Sequence, residues 1–345
     1  MLYYIFPFIY SVVIFFMFNK YKIENKAMFL SICLLPYILV EALRGKVGTD
    51  YVTYEIFFHY TLTGDINAVV YERGFLFLTQ TILFFTKNEH WTIIIVGLIT
   101  SGVFIYTFSK SRQKLAVFIL LIAPLFLFDM IMNGLRYGLS FAIACLAISE
   151  LYKVKQNVVR FMFFSVLAIS VQYSSLIILL IFFLFKIKLN YKQSLVLVLV
   201  LFLFFASINF DLTYFLDKKN SYSEAATPSG LSGIGPFVIF LMLFFYMFFY
   251  VKMKNKMLLI LLLCEILSFY LSSLTYAGLR FLNLFLFAII LCLAFENFDK
   301  IKKTLLFLFL IGCIGLTLKT KNFIDEENQN ETPFLPYKFY FEDAI

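Results

Sequence analysis

Two tetrads place an arginine at the start of an apolar run: Gly134-Leu135-Arg136-Tyr137 and Gly278-Leu279-Arg280-Phe281. If each run is a helix, its N-terminal N–H groups carry partial positive charge and favour anions. A guanidinium there adds a planar fork that fits phosphate. Arg44 closes an earlier apolar run at what should be the same level. Three arginines at one depth suit a diphosphate. The other reading is that each snorkels to lipid headgroups. Against it, lysine snorkels as well, and the basic clusters elsewhere in the chain favour lysine.

The carboxylates nearest these arginines lie in the polar stretch 44–73, within Gly48-Thr49-Asp50-Tyr51 and Tyr71-Glu72-Arg73-Gly74. A carboxylate beside an arginine stays ionised and can orient it or accept a proton. Asp50 and Glu72 are therefore the candidates for base or orienter, and Arg73 adds a cation. The plain alternative is a solvated loop. Tyr51, Tyr71, Tyr137 and Tyr173 offer rings on which sugars stack, and Gln172 can bond sugar hydroxyls. Glu265, near mid-helix, and Asp129, near a helix end, are intramembrane acids. Such acids are functional candidates unless a neighbouring helix pairs them. His59 and His90 fall in expected loops with no metal-ligand spacing. The five cysteines lie in apolar runs without CxxC spacing, so neither a metal nor a disulfide frame is expected.

What must hold these residues is a membrane domain. The chain is 62% hydrophobic and only 14% charged, too apolar for a soluble protein of 345 residues. The net charge of +8 could suggest nucleic acid, but its distribution says otherwise. Of the 29 basic residues, eighteen form six short clusters of three between apolar runs: 20–26, 110–114, 153–160, 186–192, 252–256 and 300–303. The positive-inside rule puts all six in the cytoplasm. The others, Arg44, Lys46, Arg73, Lys87, Arg136, Lys218, Lys219, Arg280, Lys319, Lys321 and Lys338, then lie outside or at the outer membrane edge, as do both chain ends.

A span takes about 20 residues. Most segments comply: 2–18, 27–43, 91–108, 115–131, 134–152, 193–209, 234–251, 257–274, 279–297 and 304–318. The first follows the initiator without a basic n-region or an A-x-A site, so it is expected to stay as a span. Residues 74–86 are too short and would break the parity, so they should form a re-entrant or interfacial helix. Residues 161–185 must go out and back, so two short helices meeting near Gln172 are expected. Broken backbone survives there only when buried in protein or facing a wet cavity. One long helix, with an error elsewhere, is the alternative. The fold expected is all-α, a single integral membrane domain over 1–345 with about 12 transmembrane helices. Its outer parts would be loops 44–73 and 210–233 and a tail, 319–345.

The order Leu43-Arg44, Gly48-Thr49-Asp50-Tyr51, Glu72-Arg73-Gly74-Phe75 resembles the EpsG family of bacterial exopolysaccharide proteins. So do Asn133-Gly134-Leu135-Arg136-Tyr137-Gly138-Leu139 ahead of a small-residue helix, Leu279-Arg280-Phe281, and Pro336-Tyr337 near an aromatic end. The likeness covers nearly the whole chain. It implies kinship with Wzy-type polymerases of O-antigen, capsule and exopolysaccharide, and a substrate of oligosaccharide repeat units on undecaprenyl diphosphate. It implies no cofactor, metal or nucleotide sugar, and leaves room for a flippase and a chain-length regulator as partners. Members often carry a histidine where this chain has Val171-Gln172-Tyr173-Ser174. Gln172 cannot act as a base, so that role passes to a carboxylate or is not needed.

The resulting expectation is a glycosyltransferase at the outer face of the bacterial inner membrane. Arg136 and Arg280 would hold the diphosphate, with Arg44 as a third cation and Glu72 or Asp50 as base. Arg73, Tyr51, Tyr137, Gln172 and Tyr173 would bind substrate. Rivals are an O-antigen ligase, which shares the donor, and a transporter or flippase, which would place its charges near the midplane. An O-acetyltransferase would want a histidine in a helix, and an intramembrane serine protease a membrane histidine; His59 and His90 both fall in expected outer loops.

Overall fold

The computed structural model describes residues 1–18, 24–64, 71–187, 233–252, 256–296, 301–321, 323–324 and 332–342. The regular elements among them are helices: α1 Leu2–Phe18, α2 Lys26–Leu43, α3 Tyr51–Thr63, α4 Arg73–Thr86, α5 Glu89–Phe108, α6 Arg112–Val117, α7 Leu135–Leu151, α8 Val158–Val171, α9 Ser175–Lys186, α10 Ile234–Phe245, α11 Lys256–Ser272, α12 Tyr276–Phe295 and α13 Ile301–Lys321. Four described helices are long and apolar enough to cross a membrane: Lys26–Leu43, Glu89–Phe108, Tyr276–Phe295 and Thr304–Lys321. Shorter apolar helices accompany them. The chain is an all-α polytopic membrane protein. The expected span 193–209 and all but the end of the 210–233 loop lie outside the described residues.

The chain groups into two compact units, Met1–Leu179 with Ile290–Ile345, and Leu180–Ile289. Within the first, α7 is central. It packs on α8 and α5, while α2 packs on α1 and α5. Its buried face carries Gly138, Ser140, Ala142, Ala144, Cys145 and Ala147. Small side chains let backbones approach where lipid supplies no hydrophobic drive. At Gly138 the approach is closest: a Cβ would land on the Met130 backbone.

Met130 belongs to an unusual run. After α6 the chain continues as π-helix over Phe118–Leu127 and again over Asp129–Asn133. Pro124 sits in the first stretch. In an α-helix its ring would clash with the carbonyl four residues back and leave it unbonded. A widened turn relieves that clash. The carbonyl concerned, on Leu120, faces Gly312 of α13 at close range.

Of the two awkward stretches, 74–86 forms a short helix and 161–185 is broken where expected. α4 has 14 residues, a length of about 21 Å at 1.5 Å per residue, short of the ~30 Å hydrocarbon core. α8 ends at Val171, Gln172 is extended at φ −158° and ψ 128°, and helix resumes at Ser175. The single long helix is thereby excluded. The 44–73 stretch differs from the loop expected, because α3 fills much of it. Tyr51, Tyr54, Phe57 and Phe58 recur at helical spacing and bury against Phe75, Ile93 and Leu135.

The first unit has two distinct ends. At one, Lys114 lies 4.6 Å from the Phe295 ring centroid, and the Tyr152 hydroxyl donates to Glu296 Oε1 at 3.2 Å. The 110–114 and 153–160 basic clusters flank these contacts. At the other end are the last residues of α2, the first residues of α5 and α7, and the tail 332–342. The tail bonds to the α2 end through Tyr340 N–H to Leu43 O at 3.0 Å and Gly45 N–H to Lys338 O at 2.8 Å. In the second unit α10 packs on α11, with Phe237 and Phe269 stacked at 4.4 Å, and Gly278 sits tightly on Leu271 and Ser272.

Candidate functional site

At the α7 end of the first unit, Gly134 breaks the helical run at φ −87° and ψ 67°, and no side chain caps the new N-terminus. Arg136 is the second residue of α7. Its Nη1 donates to Glu72 Oε2 at 2.5 Å, and its guanidinium carbon lies 4.0 Å from the Tyr71 ring centroid. Its backbone N–H points to the Tyr54 hydroxyl at 3.5 Å. The Glu72 side chain is 1% exposed and that of Arg136 18%. Glu72 is the N-cap of α4 but makes no side-chain bond to that helix, so its carboxylate serves Arg136. The Arg136 Nε is buried and has no hydrogen-bond partner.

The surroundings are aromatic. Tyr71 packs edge-on against Phe57 at 4.3 Å, and Tyr54 lies 6.2 Å from Tyr71. Burial pushes the Tyr71 hydroxyl up to about 12, with Tyr54 adding to the shift and Arg136 opposing it. It is a neutral hydrogen-bonding group at any physiological pH. Asp50, exposed at the N-cap of α3, is in electrostatic reach of both Tyr54 and Tyr71. Tyr173, in the break after α8, is in reach of Glu72 and Arg73. The break is brought close by α4, whose Gly74 abuts Ser170, and by α7, whose Ser140 hydroxyl lies 2.7 Å from the Ala168 carbonyl and 3.3 Å from that of Gln172. Gln172 Oε1 is buried without a partner. Tyr137 turns to Phe141 at 4.1 Å.

The structure thus gathers Asp50, Tyr54, Tyr71, Glu72, Arg73, Arg136 and Tyr173, with Gln172 beside them. An arginine fork held by one carboxylate, at a helix N-terminus and among tyrosines, can exchange that carboxylate for an incoming phosphate. The tyrosines can stack on or bond to sugars.

Arg44 stands apart from this cluster. It is 1% exposed. Its Nη1 lies 2.5 Å from the Met132 carbonyl and 3.2 Å from that of Val47, and its guanidinium carbon is 5.4 Å from the Tyr51 ring. Tyr51 bonds His90 Nδ1 at 3.0 Å, and His90 stacks on Tyr340 at 3.7 Å. Arg280 is the fifth residue of α12, in the second unit, and is exposed. The two Gly-Leu-Arg-aromatic tetrads are therefore not equivalent: Gly134 precedes its helix, whereas Gly278 lies inside one.

Several residues escaped the sequence reading. Tyr54 carries a signal, the helical spacing of 51, 54, 57 and 58, inside a stretch whose polarity suggests a loop. Glu41, with no distinguishing motif in sequence, is 1% exposed on α2; Glu265 is 0% exposed with both carboxylate oxygens lacking a partner. Asp129 is explained by its ion pair with Lys319. Both histidines, expected in loops, stand on helices, His59 in α3 and His90 in the first turn of α5. The lack of a helical histidine therefore no longer argues against acyl transfer. What argues against it is that both histidines are engaged, His59 Nδ1 with Glu89 Oε1 at 3.1 Å and His90 Nδ1 with Tyr51, its ring stacked on Tyr340. Among the described residues no group of three His, Cys, Asp or Glu side chains could hold a metal ion.

The model of the EpsG family matches the chain over residues 27–339. No curated protein and no solved structure matches the chain.

Proposed function

The chain belongs to the EpsG family, and from that premise we propose that it polymerises oligosaccharide repeat units carried on undecaprenyl diphosphate at the outer face of the bacterial inner membrane. The observation that carries this reading is the Glu72–Arg136 pair at the start of α7, at the end of the first unit away from the 110–114 and 153–160 basic clusters. In the reaction the bond between the donor's anomeric carbon and its diphosphate breaks. A hydroxyl at the non-reducing end of a new unit forms the new glycosidic bond and loses its proton. The diphosphate leaves with the lipid.

Arg136 meets the charge that develops on the leaving group, where a preorganised cation has its largest effect. Arg73 is a further cation for it. When the diphosphate takes the Arg136 fork, Glu72 is released from it and becomes the stronger base. Glu72, or Asp50 nearby, then takes the acceptor's proton. Tyr71, Tyr137, Gln172 and Tyr173 bind sugar; Tyr51, expected to join them, is 1% exposed and out of reach.

Sidedness has a direct test. Cysteines introduced by Thr49→Cys and Phe341→Cys should react with an impermeant thiol reagent on intact cells, and Val154→Cys should not. The reverse pattern would invert the orientation and remove the site from the outer face.

The class of function has another. Cells lacking the protein should accumulate single repeat units on the lipid carrier, accessible from outside. Single units confined to the cytoplasmic side would indicate a flippase. Long chains still on the carrier would indicate a ligase. Either result replaces the polymerase reading.

A further inference from the structure

We propose that Arg44 is a positioning residue: clamped beneath the C-terminal segment 332–342, it fixes the turn from which α7 starts and so sets where Arg136 meets the substrate. The inference rests on the role given to Arg136 above.

A ligand contact must be reachable, and Arg44 is not. It ranks among the largest fully buried side chains of the protein. What it holds instead is backbone. Met132 lies in the last π turn before Gly134, where carbonyls have no further helical N–H to accept from. Arg44 Nη1 supplies a charged donor there, at 2.5 Å. Val47, the second carbonyl, lies in the loop leading to Asp50. One guanidinium therefore joins the segment that ends at Arg136 to the segment that carries Asp50.

The same turn is gripped from another side. The Gly134 N–H donates to Asp129 O at 2.7 Å, and the Asp129 carboxylate pairs with Lys319 and accepts from Asn133 Nδ2 at 3.4 Å. Gly48, at φ +113°, lets the loop pass against the turn, since a Cβ there would come within 2.6 Å of Asn133 Oδ1. Arg136 begins two residues after Gly134, too close for the turn to shift without moving it.

The tail is the other half of the clamp. Phe339 bridges to Arg44 in antiparallel fashion. The Gly48 N–H donates to Pro333 O at 2.7 Å and the Tyr337 hydroxyl to Val40 O at 2.7 Å. Together they shut water away from the guanidinium. Glu41, one turn earlier on α2 and equally buried, is in electrostatic reach of it. Lysine could keep the charge but not the planar group that lies near the Tyr51 ring while bonding two carbonyls.

The test uses the full-length protein in lipid nanodiscs, with geranylgeranyl diphosphate as the diphosphate probe. In Arg44→Lys, amide hydrogen exchange over 132–138 should accelerate about tenfold or more, the scale of one lost hydrogen bond to a charged group, while α5 stays protected. Polymer output in cells should fall by a similar factor, about tenfold, yet probe affinity should stay near that of the parent. In Arg136→Ala, combined with Glu72→Gln so that no buried charge is stranded, the pattern should reverse, with affinity lost and exchange at 132–134 little changed. Tyr337→Phe, which only loosens the tail, should raise exchange over 132–138 to a smaller degree, and it decides the matter if Arg44→Lys fails to fold. Unchanged exchange in both variants, or a loss of probe affinity in Arg44→Lys equal to that in Arg136→Ala, overturns the proposal. A parent protein that does not bind the probe would count against the function proposed above, while the exchange measurements would still judge Arg44.

Discussion

Replacing Arg136 with alanine should abolish polymer and also lower the amount of protein in the membrane, and the two losses should be separable. The second arises because Glu72 would be left as a charge in a side chain only 1% exposed. Removing one partner of a buried pair costs about 3–5 kcal/mol. Adding Glu72→Gln to Arg136→Ala removes the stranded charge, so protein level should recover. Polymer should not, because loss of a preorganised group that meets developing charge costs on the order of 100- to 1,000-fold in rate. Arg136→Lys should be nearly as inactive. An ammonium cannot keep both the Glu72 bond and the face-on position 4.0 Å above Tyr71. Measuring membrane protein by blot and polymer by gel across the three variants settles the matter. Normal chains from the double variant would make the pair a packing device and nothing more.

Gly138→Val should have the largest effect on folding. The position looks tolerant in sequence, an apolar helix among small residues. In the structure a Cβ there falls on the Met130 carbonyl, which is backbone and cannot turn aside. Overpacking a core typically costs about 1–3 kcal/mol; here α7 or the π turn must move bodily, so the cost should lie at or above the top of that range. Either movement also displaces the Asn133–Arg136 turn. The variant should be missing from the membrane at 37 °C, and whatever remains at lower temperature should make no polymer. Gly102→Ala on α5 is the control. Nothing lies within 4 Å of its Cβ position, and alanine is the better helix former by about 1 kcal/mol. Equal membrane levels and equal polymer for the two variants would mean that α7 does not pack as described.

Read alone, the sequence determined whatever depends on neighbours in the chain. Apolar runs of spanning length, punctuated by lysine clusters, required a polytopic membrane protein because lipid admits helices and rejects unpaired backbone. The short run at 74–86 and the break at Gln172 followed from counting residues against membrane thickness, and the order of short motifs carried the family likeness. Arg136 stood out because glycine before an apolar run marks a helix start. Tertiary structure decided the rest. Glu72 and Arg136 are 64 residues apart, and nothing in either motif says that the carboxylate of one will meet the fork of the other. Arg44 had the same credentials as Arg136, a cation at a helix end, yet a tail nearly 300 residues later buries it. Two identical-looking tetrads fell at different places relative to their helices, and a span of ordinary appearance is π-helix over much of its length. Periodicity and composition fix which face of a helix is apolar. Which polar groups then share a dry site depends on how helices distant in sequence approach, and that is set by small residues such as Gly74 and Gly138 whose effect appears only once the partner backbone is in place.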